Sequence, residues 1–283
     1  MKLGLILEGG ASRGYFTCGA LDALLEENII ADYIIGTSAG IANGVSYASG
    51  QIGRNLRIAK EYLQDKRYMG FKHMLNPKNR SYYNLDFVFD SLANEHLPFD
   101  YDAFSRFKGN VVAAVTNVNT GKAEYLEVPR NDRKGSVLRA SCALPIIFPI
   151  ITISNKKYMD GGIVSPIPVD ESIASGCDKN IVILTRERSY HKKMEKPLLL
   201  AARLYKKCPK FSEALLNRTE SYNNNLLRVK ELEAEGKVFV IAPESMAGFK
   251  RTESNSEKLE QIYNDGYKVT KNILPQLLEY LKK

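Results

Sequence analysis

Tyr33-Ile34-Ile35-Gly36-Thr37-Ser38-Ala39-Gly40 is the stretch that decides the fold. An apolar run stops at Gly36, a Gly-x-Ser-x-Gly follows, and the helix-compatible Ala39, Ile41 and Ala42 come next. That order predicts strand, sharp turn, helix, with a serine on a strained turn and its backbone at a helix N-terminus. Gly36 and Gly40 have a steric reason: the turn brings strand and helix so close that a Cβ at either position would collide. By itself the pattern fits a Gly/Ser-rich turn with no chemistry equally well. Its surroundings have to decide.

Working outward, Leu3 to Leu7 is almost continuously apolar, as expected of a strand buried on both faces of a parallel sheet. Gly9-Gly10-Ala11-Ser12-Arg13-Gly14 follows, and Tyr15 to Glu27 then repeats apolar residues at helical spacing. The chain therefore opens with two strand-to-helix turns rich in small residues. In a parallel sheet both lie at the carboxyl ends of the strands, where sites form.

Further along, Arg54 to Arg67 reads as helix, Tyr68 to Asn79 as loop and Leu85 to Leu92 as a short helix. Lys108 to Thr116 and Ala123 to Val128 read as strands flanking the hairpin signal Asn117 to Gly121. Asp132 to Ser141 is helical, Ala143 to Pro149 is apolar and broken by proline, and Lys157 to Asp160 ends a short strand at Gly161-Gly162. A helix over Pro168 to Ser175 and a strand over Asn180 to Leu184 come next. Helices over Pro197 to Lys207 and Phe211 to Glu235, a strand over Lys237 to Ala242 and a helix from Ser254 to Leu281, broken before Pro275, complete the chain. Strands alternating with helices predict an α/β fold: one domain over 1–283, three layers α/β/α, with a mostly parallel central sheet. Its motif core spans about 3–175 and a helical C-terminal part about 190–283.

The 283 residues are 44% hydrophobic and 25% charged, ordinary for a globular chain of one large α/β domain. The net charge of +8 suits a phospholipid surface or nucleic acid, and plain solubility equally. Cys18, Cys142, Cys177 and Cys208 form no Cys-x-x-Cys pair, so neither a zinc site nor a disulfide framework is indicated. The apolar run at the start is too short for a signal segment, and no run approaches the ~18 residues of a membrane span. The cytoplasm is the expected compartment.

A serine hydroxyl needs a base to take its proton, and the oxyanion it generates needs preorganised N–H donors. The Gly9-Gly10-Ala11 loop can supply such donors, helped by the positive end of the helix beginning near Arg13. The best carboxylate for the base is Asp160, whose following Gly161-Gly162 allows a tight turn, though a plain turn aspartate fits the same residues. None of His73, His96 and His191 lies in a motif.

These blocks together resemble the patatin-like phospholipase family. Gly9 to Gly14 is similar to its glycine-rich oxyanion loop with an arginine, Gly36 to Gly40 to its nucleophile turn, and Asp160-Gly161-Gly162 to its aspartate block. Arg139 to Pro145, with Phe148 and Pro149, is similar to the segment preceding that aspartate, and the four blocks span about residues 5–170 in the family's order. The resemblance implies a lipid acyl hydrolase with a Ser38–Asp160 dyad, an acyl-enzyme intermediate, and an oxyanion hole at Gly9, Gly10, Ala11 and Arg13. Ala11 departs from the family's usual third glycine. Arg13 has three readings: steadying the loop, meeting a phosphate, or standing solvated in the first helical turn.

The resemblance also implies no metal and no cofactor, and Glu95, Asp100 and Asp102 are too dispersed for calcium. The expected partner is a lipid or small ester, not nucleic acid. The basic segment Arg186 to Lys210, interleaved with leucines, reads either as a peripheral contact with an anionic membrane surface or as a helix solvating its lysines. Three alternatives stand beside this reading. One is an α/β-hydrolase triad of Ser38, Asp160 and His191, one a nucleotide-binding loop at Gly9–Gly14, and one a catalytically silent lipid-binding protein.

Overall fold

Leu3–Leu7 (β1) carries no polar side chain and is buried throughout, which only the middle of a covered sheet allows. A computed structural model of the chain describes residues 1–75, 81–195 and 197–283. In chain order β1 leads through a turn into Gly14–Glu26 (α1), Tyr33–Thr37 (β2), Ala39–Ala48 (α2), Arg54–Glu61 (α3) and the four-residue Phe71–Met74 (α4). A wide helix, Phe87–His96, is followed by Tyr101–Arg106 (α5), Asn110–Asn117 (β3), Ala123–Glu127 (β4), Ser136–Cys142 (α6), Ile151–Ile153 (β5) and Lys156–Asp160 (β6). Val169–Ala174 (α7), Lys179–Ile183 (β7), Pro197–Leu204 (α8), Pro209–Ala234 (α9), Val238–Ile241 (β8), Ser256–Asn272 (α10) and Leu274–Lys282 (α11) complete it.

The sheet is α/β in kind and mostly parallel. β3, β2, β1, β7 and β8 run parallel in that order, while β4, β5 and β6 are antiparallel additions at the β3 side. Alternation along β1 assigns the faces: Leu3, Leu5 and Leu7 pack with Phe16 of α1, Ile41 of α2 and Leu259 of α10, whereas Ile6 packs with Val169 of α7 and Leu226 of α9. Helices thus cover both faces. The C-terminal helices belong to the same core: α10 crosses α1 so closely that a Cβ on Gly19 or Gly266 would run into the backbone of the other helix.

The differences from the sequence-based expectation are local. The expected loop over 68–79 contains α4, and its part over 76–79 lies outside the described residues. β5 is three residues long and α5 six, too short for a periodic signal; α5 starts where the Asp100 carboxylate accepts from the Ala103 amide. The C-terminal helix, by contrast, is broken as expected: two helices meet at Ile273, with Pro275 in the first turn of the second.

β3 is the strand that matters for the site. Val112 to Ala114 pair with β2 on one edge and β4 on the other; Val115 and Thr116 pair with β4 and with β6. A strand residue has two edges, so β2 and β6 share one, end to end. β2 leaves that edge at Thr37, paired with Ala114, and β6 enters it at Asp160, paired with Val115.

Candidate active site

The turn after β2 has the geometry its sequence predicts. A Cβ on Gly36 would approach the Ile41 nitrogen to 2.8 Å, and one on Gly40 would collide with the Leu7 carbonyl. Between them Ser38 is held at φ 54°, ψ −126°, a region that L residues avoid and that persists only when the surroundings enforce it. Three contacts do so: the Thr37 hydroxyl donates to the Ser165 carbonyl (2.7 Å), the Ser38 amide donates to Ser141 Oγ (2.9 Å), and Ser141 Oγ donates to the Ala114 carbonyl (2.8 Å). Ser38 caps α2, whose first amides have no intrahelical acceptor and present a positive end.

Asp160 is brought beside this turn by the shared β3 edge. The carboxyl is only 2% exposed. Oδ1 accepts from the Gly162 amide at 2.7 Å, while the buried Oδ2 has no hydrogen-bond partner. Burial raises its pKa above the ordinary value; the Arg218 charge, the Gly162 amide and the Ser38 hydroxyl oppose this. Arg218 reaches the same turn from α9, donating from Nε to the Gly162 carbonyl (3.1 Å) and from Nη1 to Glu195 (3.1 Å). The Cys142 thiol lies near both Ser38 and Asp160, and burial pushes it up to about 12, so it stays protonated.

The glycine loop takes its place at the same edge. Gly10 is indispensable sterically, since a Cβ there would meet the Thr185 side chain at 2.6 Å. Ala11 adopts φ 48°, where a third glycine would be at ease. The Gly9 amide points to the Pro166 carbonyl at a long 3.4 Å, and among the described residues no acceptor engages the Gly10 or Ala11 amide. Arg13 lines the neighbouring cavity, with its buried Nε unpartnered.

Ser38 stands in the wall between two cavities. One, of about 230 Å³, is apolar, with Tyr15, Leu63, Phe89, Leu92 and Phe104 in its lining. The other, of about 380 Å³, is polar and holds Gly9, Gly10, Arg13 and Asp160, together with Arg186, Arg218 and Arg251. His73, His96 and His191 line neither cavity. Among the described residues no group of three or more His, Cys, Asp or Glu side chains is arranged to hold a metal ion.

Glu8, Ser141, Arg218 and Arg251 were not anticipated as site residues. Ser141 sits inside a motif block, which was its only signal; the others are ordinary charged residues whose convergence depends on the fold.

The strained serine between paired cavities, the glycine loop and the aspartate turn thus meet at one edge of the α/β sheet. A sequence model of the patatin-like phospholipase family matches residues 5–173, and the chain belongs to that family. A domain of unknown function (DUF6363) matches residues 208–282. The uncharacterized protein YjjU of Escherichia coli K12 is 26% identical over 198 residues, covering 65% of this chain and 52% of that protein. Lysophospholipase NTE1 of Yarrowia lipolytica is 27% identical over 179 residues, 62% of this chain but 12% of that protein. The chain thus spans about half the length of one relative and a small part of the other. Among solved structures, VipD from Legionella pneumophila aligns over 97% of this chain and 67% of its own, with 14% identity and a TM-score of 0.47.

Proposed function

We propose that this chain is a phospholipase A or lysophospholipase-type lipid acyl hydrolase, a serine carboxylic-ester hydrolase working through a Ser38–Asp160 dyad. The observation that carries this reading is the position of Ser38 in the wall shared by an apolar and a polar cavity, the latter lined by Asp160, whose buried Oδ2 is unpartnered. An acyl chain suits the apolar cavity, leaving the alcohol side of the ester in the polar one.

Asp160 takes the Ser38 proton as the hydroxyl oxygen attacks the acyl carbonyl. The oxyanion is met by amides of the Gly9–Ala11 loop, of which those of Gly10 and Ala11 are without another acceptor among the described residues. Collapse expels the alcohol, which receives the proton from Asp160, and leaves Ser38 acylated. Asp160 then takes a proton from water, the hydroxide attacks the ester, and the fatty acid leaves as Ser38 Oγ regains a proton. Burial suits the base, because a raised pKa strengthens its pull on a proton.

The triad alternative fares worse: His191 is exposed, its ring contacts Asn223, and it lines neither cavity. We assign the whole chain to one domain, supported by the shared core of α10 with α1 and by β8 in the common sheet. We also assign it to the cytoplasm, in keeping with its four free cysteines, with peripheral contact to an anionic membrane surface and no nucleic-acid partner. Supporting the membrane contact, Leu199, Leu200 and Leu204 of α8 are 51–60% exposed beside the exposed Arg203, Lys206 and Lys207. Lys196 lies outside the described residues. Among those residues no helix is long and apolar enough to cross a membrane.

Fluorophosphonate labelling with mass mapping tests the proposal. The adduct should sit on Ser38, and Ser38→Ala should lose both the label and hydrolysis across esters from p-nitrophenyl butyrate to phosphatidylglycerol. Hydrolysis that survives in Ser38→Ala would refute it.

A further inference from the structure

We propose that Arg54, Tyr15 and Tyr68 form a subsite inside the acyl cavity for a carboxylate at the far end of the acyl chain, so that the acid released is a dicarboxylic acid. This deepens the ester-hydrolase reading above and rests on it.

The cavity follows α2 away from the nucleophile: Ser38, Ala39, Ala42, Asn43 and Val45 all line it. From Ser38 to Val45 the helix axis runs about 10 Å. Past the end of α2, Arg54 opens α3 and lines the same cavity. It is anchored on both sides. The Gly53 amide donates to the Asp22 carboxylate at 2.8 Å, and Arg54 Nη2 donates to the Leu97 carbonyl at 2.9 Å. The guanidinium lies over the Phe99 ring at 5.4 Å, which orients it without neutralising it. Tyr15 of α1 and Tyr68, between α3 and α4, form part of the walls. An extended chain advances about 1.2 Å per bond, so an acyl group of roughly eight to ten carbons reaches from Ser38 to this end.

Polar groups stand out in so apolar a lining, and three of them are left over. Among the described residues Arg54 is in no ion pair, its buried Nε has no acceptor, and no hydrogen bond engages the Tyr15 or the Tyr68 hydroxyl. Other polar side chains of the lining are engaged: Asn43 donates to the Gly14 carbonyl, Asn55 accepts from Ser46, and Asp132 accepts from the Lys134 and Ser136 amides. Burial lowers Arg54 to about 10, which leaves it charged near neutral pH. Burial raises Tyr15 and Tyr68, so both hydroxyls stay protonated, and the Arg54 charge is near enough to Tyr68 to oppose its rise. The three groups thus offer donors and a positive charge. An ionised carboxylate is the acceptor-only group that takes a guanidinium and hydroxyls together. A chain ending in a methyl group leaves the guanidinium buried without a counter-charge, the costly arrangement.

Mono-p-nitrophenyl suberate and p-nitrophenyl octanoate have acyl chains of equal length and differ at the far end, so their kcat/KM ratio reads the subsite. The wild type should favour the suberate ester about tenfold, the worth of one charge-assisted contact. Arg54→Met keeps the apolar stem without the charge and should reverse the preference. Tyr68→Phe loses only a hydroxyl and should lower it severalfold. Each ratio is taken within one variant, so a general loss of activity cancels, and Tyr68→Phe carries the comparison if Arg54→Met does not fold. In a second arm, monomethyl suberate is titrated calorimetrically into Ser38→Ala, which needs no turnover. It should bind, and more weakly once Arg54→Met or Tyr68→Phe is added. A wild-type preference for the octanoate ester, a preference that neither variant moves, or binding that neither variant weakens overturns the subsite. Absent hydrolysis of both esters, with binding that the variants weaken, counts against the hydrolase reading and not against the subsite.

Discussion

Thr37 and Asp160 occupy successive places along one edge of β3, paired with Ala114 and Val115 respectively. The residue after Thr37 is Ser38, so the strand that ends at the nucleophile turn hands its edge to the strand that ends at the carboxylate. The Thr116 hydroxyl donates to the Asp160 carbonyl at 2.8 Å and locks that handover. A slip of one residue in β6 would turn Asp160 to the other face of the sheet.

Asp160→Asn should lower kcat about 10²–10⁴-fold, the range for losing a general base. It should also raise stability near neutral pH. Burial raises the folded-state pKa above the ordinary 3.8. The folded state therefore holds this proton more tightly than the unfolded state. The stability so gained is present in full below the unfolded pKa and is lost as pH rises through the folded one. Thermal melts should show Asp160→Asn gaining on wild type as pH rises from 4 to 8, while wild-type kcat/KM falls as pH drops through the same raised pKa.

Ser141→Ala should reduce kcat with little change in KM. It removes the acceptor of the Ser38 amide and the donor to the Ala114 carbonyl, leaving two groups of the strained turn without these partners. The expected loss of stability is about 1–3 kcal/mol, measurable by urea unfolding. An unchanged kcat would show that the turn holds without it.

Ala11→Gly should stabilise the protein by about 1 kcal/mol, because a non-glycine residue at positive φ carries that order of strain. The amide is retained, so ester hydrolysis should persist. A lower melting temperature would mean that the alanine methyl group packs usefully.

Replacing Lys206, Lys207 and Lys210, all exposed, by glutamate should weaken sedimentation with vesicles containing phosphatidylglycerol, and more so at low salt. Hydrolysis of water-soluble p-nitrophenyl butyrate should be retained. Unchanged vesicle binding would remove this surface as the membrane contact.

Much of the molecule was legible because its signals are local. The buried β1 and β2, the glycines at 36 and 40 and the aspartate turn announce themselves through apolar runs and steric needs that a few neighbours settle. The edge elements β5 and α5 did not, because three and six residues hold too little pattern. Ser141 stood within a block already singled out, yet its role depends on an amide from the turn after β2 and a carbonyl from β3.

Local chemistry along the chain therefore determined the strand–turn–helix units, the parallel sheet and the candidate groups at Gly9–Arg13, Ser38 and Asp160. Tertiary structure alone decided that β6 inherits the edge vacated by β2, that Ser38 divides an apolar cavity from a polar one, and that Arg13, Arg186 and Arg251 meet Glu8, Asp160 and Glu195 in the polar one. The reason is that sheet register and the meeting of distant loops arise from backbone pairing between segments far apart in the chain. No short stretch encodes such pairing by itself.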